Sequence, residues 1–154
     1  MLLIQPGDGG EKGEAPVLDS MFQHRPELAE KYRTFLNSLS QSDLLPPRLL
    51  ALCGRRIAHI HGCAAKVGGA GREAGFSAED EAALLAGDFS GFGASERAAL
   101  EVAELISFAH HQISDAQVSR LNEQLGHAGC VALLTAVSFI DVNCRLELVY
   151  GLEA

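Results

Sequence analysis

The stretch Leu45-Pro46-Pro47-Arg48-Leu49-Leu50-Ala51-Leu52-Cys53-Gly54-Arg55-Arg56-Ile57-Ala58-His59-Ile60-His61-Gly62-Cys63 decides how the chain is read. Two prolines forbid a helix from continuing through them, and Pro47 suits a first helical turn, where a missing N–H costs nothing. Leu49, Leu52, Cys53, Ile57 and Ile60 then recur at helical spacing and form an apolar stripe. Gly62-Cys63 offers the break.

Upstream, Ser42-Asp43-Leu44 belongs to the loop before those prolines, and a first helix opens at Pro26 with Leu28, Tyr32, Phe35, Leu36 and Leu39 on one side. Residues 1–15, rich in glycine and charge, read as a flexible N-terminal arm, leaving 16–154 as one domain. Downstream, a short helix is expected over 63–74, although Gly68, Gly69 and Gly71 each weaken it by about 1 kcal/mol relative to alanine. Gly75-Phe76-Ser77 ends it, and Ser77 with Asp80 resembles a capping box for a helix through Leu84 and Leu85. Residues 95–111 form the clearest amphipathic helix. Ser114 caps another, carrying Val118, Leu121 and Leu125, which Gly126 ends. A final helix from His127 to Tyr150 is apolar almost all round between Val131 and Ile140, which places it at the centre of the domain or in a subunit interface. No alternating strand pattern and no repeat occurs, so the fold class is all-α.

The composition agrees. A 154-residue chain fits one domain burying roughly 70% of its unfolded surface, and 47% hydrophobic content with 6% aromatics points to an aliphatic core. A formal charge of −8 argues against nucleic acid or an anionic membrane as partner, since both need a positive field. Cys53, Cys63, Cys130 and Cys144 show neither a CxxC pair nor zinc spacing, so no disulfide scaffold is implied. On one helix Cys53 and Cys63 would lie roughly 15 Å apart, too far to bridge. The amino terminus lacks a signal-peptide pattern, and the apolar run from Cys130 to Ile140 is shorter than a span of about 20 residues. A reducing cytoplasm is the expected compartment. His59 and His61 are two apart and His110 and His111 adjacent, spacings that diverge on a helix, so no metal site is expected.

The segment from Leu45 to Cys63 resembles the one that opens the core of the carboxymuconolactone decarboxylase/alkylhydroperoxidase D-like family, where a Leu-Pro pair precedes an Arg-bearing helix running into Gly-Cys. The order around it is similar too: a His24-Arg25-Pro26 helix before, the Gly75-Phe76-Ser77 turn, the Ser95 to His110 helix, then Ser114-Asp115 and a long helix ending in Asn143-Cys144-Arg145-Leu146. The resemblance covers most of residues 16–151. It implies an all-helical bundle of about six to seven helices, a homo-oligomer from dimer to hexamer, and no cofactor. Members with thiol activity carry Cys-x-x-Cys-x-x-x-His with an acid about twelve positions before the first cysteine. Cys63 holds the first place, but Lys66, Ala70 and Ala51 stand where the second cysteine, the histidine and the acid would be.

On a continuous helix Arg55, His59, Cys63 and Lys66 would share one stripe, giving the thiol cationic neighbours that favour the nucleophilic thiolate. A helix start after Gly62 would add a positive dipole end. The expected catalytic set is therefore Cys63, His59 and Lys66. Cys63 would reduce a hydroperoxide through a sulfenic acid and be restored by an external thiol or by Cys130 or Cys144. The competing reading makes Cys63 a small buried apolar residue. Arg55, Arg56 and His61 are candidates for holding a substrate, and with His59 they would suit a decarboxylase acting on a small carboxylated metabolite. A third possibility is a non-catalytic oligomeric scaffold whose active site has decayed.

Overall fold

The computed structural model describes residues 22–40, 43–63 and 75–150. Five α-helices occur among them and no strand: α1 (Pro26–Ser40), α2 (Pro47–His61), α3 (Ala78–Ala86), α4 (Ala94–Phe108) and α5 (Asp115–Tyr150), with a short 3₁₀ turn at His110–Gln112. The N-terminal arm, Lys66 and, apart from Cys63, the helix expected over 63–74 lie outside the described residues.

Helix boundaries follow local chemistry. Pro46 and Pro47 open α2. Ser77 and Asp80 form the reciprocal capping box of α3, Asp80 N donating to Ser77 Oγ at 3.0 Å and Ser77 N to Asp80 Oδ2 at 3.0 Å. Ser114 and Gln117 do the same before α5. The expected helix over 95–111 is shorter as an α-helix, because the backbone leaves helical geometry at Ala109 and tightens into the 3₁₀ turn. Gly126, at φ 69° and ψ 170°, breaks α5 into segments 115–125 and 127–150 where the sequence placed the stop. That conformation is open essentially to glycine alone.

Helices α2, α4 and α5 pack on one another, and α3 lies against α2. Their shared core holds Leu52, Ile57, Leu84, Leu100, Leu121 and Leu133. Helix α1 meets α5 through aromatic rings, Phe35 against Phe139 at 4.3 Å and Tyr32 against Phe139 at 6.0 Å between centroids.

The arginines of α2 fasten this arrangement. Arg48 bonds Glu96 at 2.9 Å and Asp80 at 3.1 Å, so the start of α2 is tied to acids in the first turns of α3 and α4, where acids also suit the helix dipole. Arg56 pairs with Glu104 at 2.8 Å and donates to the Leu84 and Leu85 carbonyls near the end of α3 at 2.8 and 3.2 Å. Those carbonyls have no partner within their own helix, and a cation there satisfies both the hydrogen bonds and the dipole.

The second segment of α5 is divided between core and surface. Cys130, Leu133, Ala136 and Val137 are buried while Val131 is two-thirds exposed. One 18-residue window of α5 has a mean hydropathy of 1.7 and is 33% buried, which makes it long and apolar enough to cross a membrane by length and composition.

Candidate functional site

Helix α2 ends in a Schellman turn. Gly62 adopts φ 69°, Gly62 N donates to His59 O at 3.3 Å and Cys63 N to Ala58 O at 2.9 Å. This turn lifts Cys63 off the stripe that carries Arg55 and His59 and points it toward α5. The expectation of one continuous cationic stripe is corrected accordingly: it required helix through position 63, and the left-handed glycine stops it.

Cys63 is 1% exposed, and its Sγ donates to Glu147 Oε2 at 3.0 Å. Cys144, one turn before Glu147 on the same face of α5, is fully buried and near enough to help raise the Cys63 pKa. Burial, the Glu147 bond and the Cys144 thiol push the Cys63 pKa well above the ordinary thiol range. The sulfur also stands at the C-terminal, partially negative end of α2. The thiol at rest is protonated, opposite to the thiolate that cationic neighbours would have produced.

A tyrosine lies near the carboxylate. Tyr32 of α1 hydrogen-bonds to Asn143 Oδ1, and burial together with the nearby Glu147 charge raises the Tyr32 pKa. Tyr32, Cys63, Asn143, Cys144 and Glu147 thus converge from α1, the end of α2, and α5. Asn143 and Glu147 are one turn apart and Cys144 to Glu147 three residues, so a single helix face presents all three.

The other residues expected at the site are placed elsewhere. Arg55 is buried and grips Glu81 Oε1 with Nε at 2.8 Å and Nη2 at 2.7 Å. His59 Nε2 stands 3.5 Å from Glu81 Oε2 without hydrogen-bond geometry. Arg56 is engaged with Glu104 and α3 as above. His61 reaches Asp141 Oδ1 at 2.6 Å, whose Oδ2 accepts from Arg145 Nε at 2.7 Å, and Arg145 also donates to Ser107 O at 2.6 Å. Burial alone would raise the Asp141 pKa, but the bonds from Arg145 and His61 hold it below its usual value. Neither histidine bonds the Cys63 sulfur, which donates to Glu147.

No family model matches this chain, and neither does any curated protein or solved structure. A thiol donating to a carboxylate can pass its proton there when it reacts, and a second thiol alongside can accept a bond to the first sulfur. Cys130 is excluded from that pairing, since fourteen residues of helix put it roughly 21 Å from Cys144 along α5. Cys53 is fully buried and burial pushes it up to about 12, as suits a core residue. Among the described residues no group of three or more metal-ligating side chains is found.

Tyr32, Asn143 and Glu147 were not singled out from sequence. A usable signal existed: after the apolar run ending at Ile140, Asp141, Cys144 and Glu147 follow at steps of three, and polar groups on one face of an otherwise apolar helix need partners when buried.

Proposed function

We propose that this chain is a thiol-dependent, peroxidase-like protein on an alkylhydroperoxidase D-like helical scaffold, with Cys63 as the reacting thiol. The 3.0 Å hydrogen bond from Cys63 Sγ to Glu147 Oε2 carries the reading. In the proposed step the Cys63 proton passes to the Glu147 carboxylate and the sulfur attacks the terminal oxygen of a hydroperoxide. The O–O bond breaks, the departing alkoxide takes the proton and leaves as an alcohol, and Cys63 becomes a sulfenic acid. Sulfur loses two electrons and the peroxide gains them. Two equivalents of an external thiol restore Cys63, releasing water and a disulfide.

Burial shapes the chemistry. A sulfur that is 1% exposed admits small hydroperoxides during openings of the site, and a thiol held protonated stays inert to other electrophiles between turnovers. Arg55 and Arg56, which a carboxylated substrate would need, are both engaged by the chain's own acids.

The same reading includes assembly with further copies of the chain in a reducing cytoplasm. An open apolar groove of about 560 Å³, lined by Leu39, Leu44, Val131 and Ala132 among others, lies along the exposed side of α5, and burying such a surface is the usual basis of a homo-oligomer interface. Sedimentation of the wild type and of Val131→Glu tests this, the variant shifting toward monomer.

The activity test is direct. Reduced protein is mixed with hydrogen peroxide or an alkyl hydroperoxide in the presence of dimedone, and the tryptic peptide 57–66 is weighed for an adduct on Cys63. Peroxide consumption with a thiol reductant should disappear in Cys63→Ser. No adduct and no consumption by the folded wild type would sink the proposal.

A further inference from the structure

We infer that Cys63 and Cys144 form a reversible disulfide that joins the end of α2 to α5 and serves as the resolving step of the thiol cycle. This rests on the peroxidase-like reading for its natural oxidant and on geometry for the pairing.

Three observations bear on the pairing. The Schellman turn at Gly62 fixes the Cys63 backbone through Cys63 N to Ala58 O at 2.9 Å, so the sulfur is delivered from a defined position. Its thiol is anchored on Glu147, and Cys144 occupies the same face of α5 one turn earlier. Both sulfurs are buried in one cluster of the core, Cys144 at 0% exposure and Cys63 at 1%, and the Glu147 carboxylate that holds the Cys63 thiol stands three residues from Cys144. A thiol in a dry core beside a second thiol can form a covalent bond to it without either residue crossing solvent.

The step balances. The Cys144 sulfur attacks the Cys63 sulfenic sulfur, an S–S bond forms, the S–O bond breaks, and hydroxide leaves as water with the Cys144 proton. Glu147, three residues from Cys144 and bonded to Cys63, is placed to relay that proton. An external dithiol then reduces the disulfide by two successive exchanges and leaves as its own cyclic or intermolecular disulfide. The arrangement supplies a resolving thiol from a distant helix where Lys66 occupies the position three residues after Cys63.

Proteolysis with trypsin reports the bond, because Cys63 falls in peptide 57–66 and Cys144 in peptide 121–145. Full-length protein is treated with hydrogen peroxide in one arm and with diamide, a peroxide-free oxidant that takes two thiols to a disulfide, in the other. It is then alkylated under denaturing conditions and digested without reductant. Both arms should yield the 57–66/121–145 cross-link. It should persist in Cys130→Ala, which removes the other cysteine of the second peptide, and vanish on reduction. In Cys144→Ser, checked for helicity by circular dichroism, the peroxide arm should show dimedone-trapped sulfenic acid on Cys63 at several times the wild-type level. A cross-link with diamide but none with peroxide leaves the pairing standing and overturns the peroxidase-like reading. Sulfenic acid on Cys63 with no cross-link in either arm overturns the pairing and leaves that reading standing. Absence of both in folded wild-type protein overturns both.

Discussion

Glu147 accepts the Cys63 thiol proton in a hydrogen bond that spans 84 positions of sequence and joins the turn after α2 to the last helix. The carboxylate has two opposite effects on the sulfur. As a negative neighbour it disfavours the thiolate, and as an acceptor it offers the proton a destination during reaction. Glu147→Gln separates them. The Cys63 pKa, followed by the pH dependence of alkylation of peptide 57–66, should fall because the charge is gone while burial remains. Hydroperoxide reduction should fall about 100-fold or more because the acceptor is gone. A variant that reacts faster with peroxide at neutral pH would show that Glu147 only suppresses the thiol.

The buried thiols predict alkaline weakening of the fold. Burial raises Cys53 to about 12, and burial, Glu147 and Cys144 raise Cys63. An unfolded thiol ionises near 8.5, so above that pH the unfolded chain has lost protons that the folded chain still holds. Stability from these groups is therefore complete below about pH 8.5 and is lost progressively toward about pH 12. Each thiol contributes a slope of about 1.4 kcal/mol per pH unit once its unfolded form is ionised. Denaturant unfolding of wild type against Cys53→Ala between pH 9.5 and 10.5 should show the variant losing less by about that amount. Parallel slopes would mean that Cys53 is reached by solvent.

An acid limb is predicted at Asp141. Hydrogen bonds from Arg145 and His61 outweigh its burial and depress its pKa, so its contribution is present above the unfolded carboxyl value of about 3.9 and is lost as pH falls through the lower folded value. Asp141→Asn should flatten the stability profile below about pH 4. At neutral pH it should cost about 1–3 kcal/mol, the range for losing buried hydrogen bonds to charged groups. Equal acid slopes in the two proteins would rule out this linkage.

The helices were legible because their start and stop signals act locally. Pro46-Pro47, the Ser77/Asp80 box and Gly126 need nothing beyond their neighbours to work, and the structure uses each as its chemistry dictates. The site was only half legible. Cys63 stood out as a residue type and Cys144 as one of two possible thiol partners, yet its hydrogen-bond acceptor Glu147 and the Tyr32–Asn143 pair near it did not, because contacts that cross from one helix to another are not encoded in spacing along either. Arg55 and Arg56 misled for the same reason: Glu81 and Glu104, which engage them, lie on α3 and α4. The cationic stripe failed on a single dihedral, since Gly62 can end a helix or continue one and only the positive φ decides which.

That dihedral supplies the last prediction. A Cβ built on Gly62 meets nothing within 4 Å, so Gly62→Ala introduces no clash and its cost is conformational alone. Holding an L-residue in the left-handed region costs roughly 1–2 kcal/mol. The chain can avoid that cost by extending α2 through position 62, which would break the Cys63 N to Ala58 O bond and rotate the thiol away from α5. Either response separates structure from chemistry: thermal unfolding reports the strain, and the cross-link between peptides 57–66 and 121–145 reports whether Cys63 still faces Cys144. The expected outcome is a loss of about 1 kcal/mol together with a several-fold slower cross-link. Unchanged stability with unchanged cross-linking would mean that the turn does not position the sulfur. Gly62→Asn, which tolerates the left-handed region better, should recover part of both.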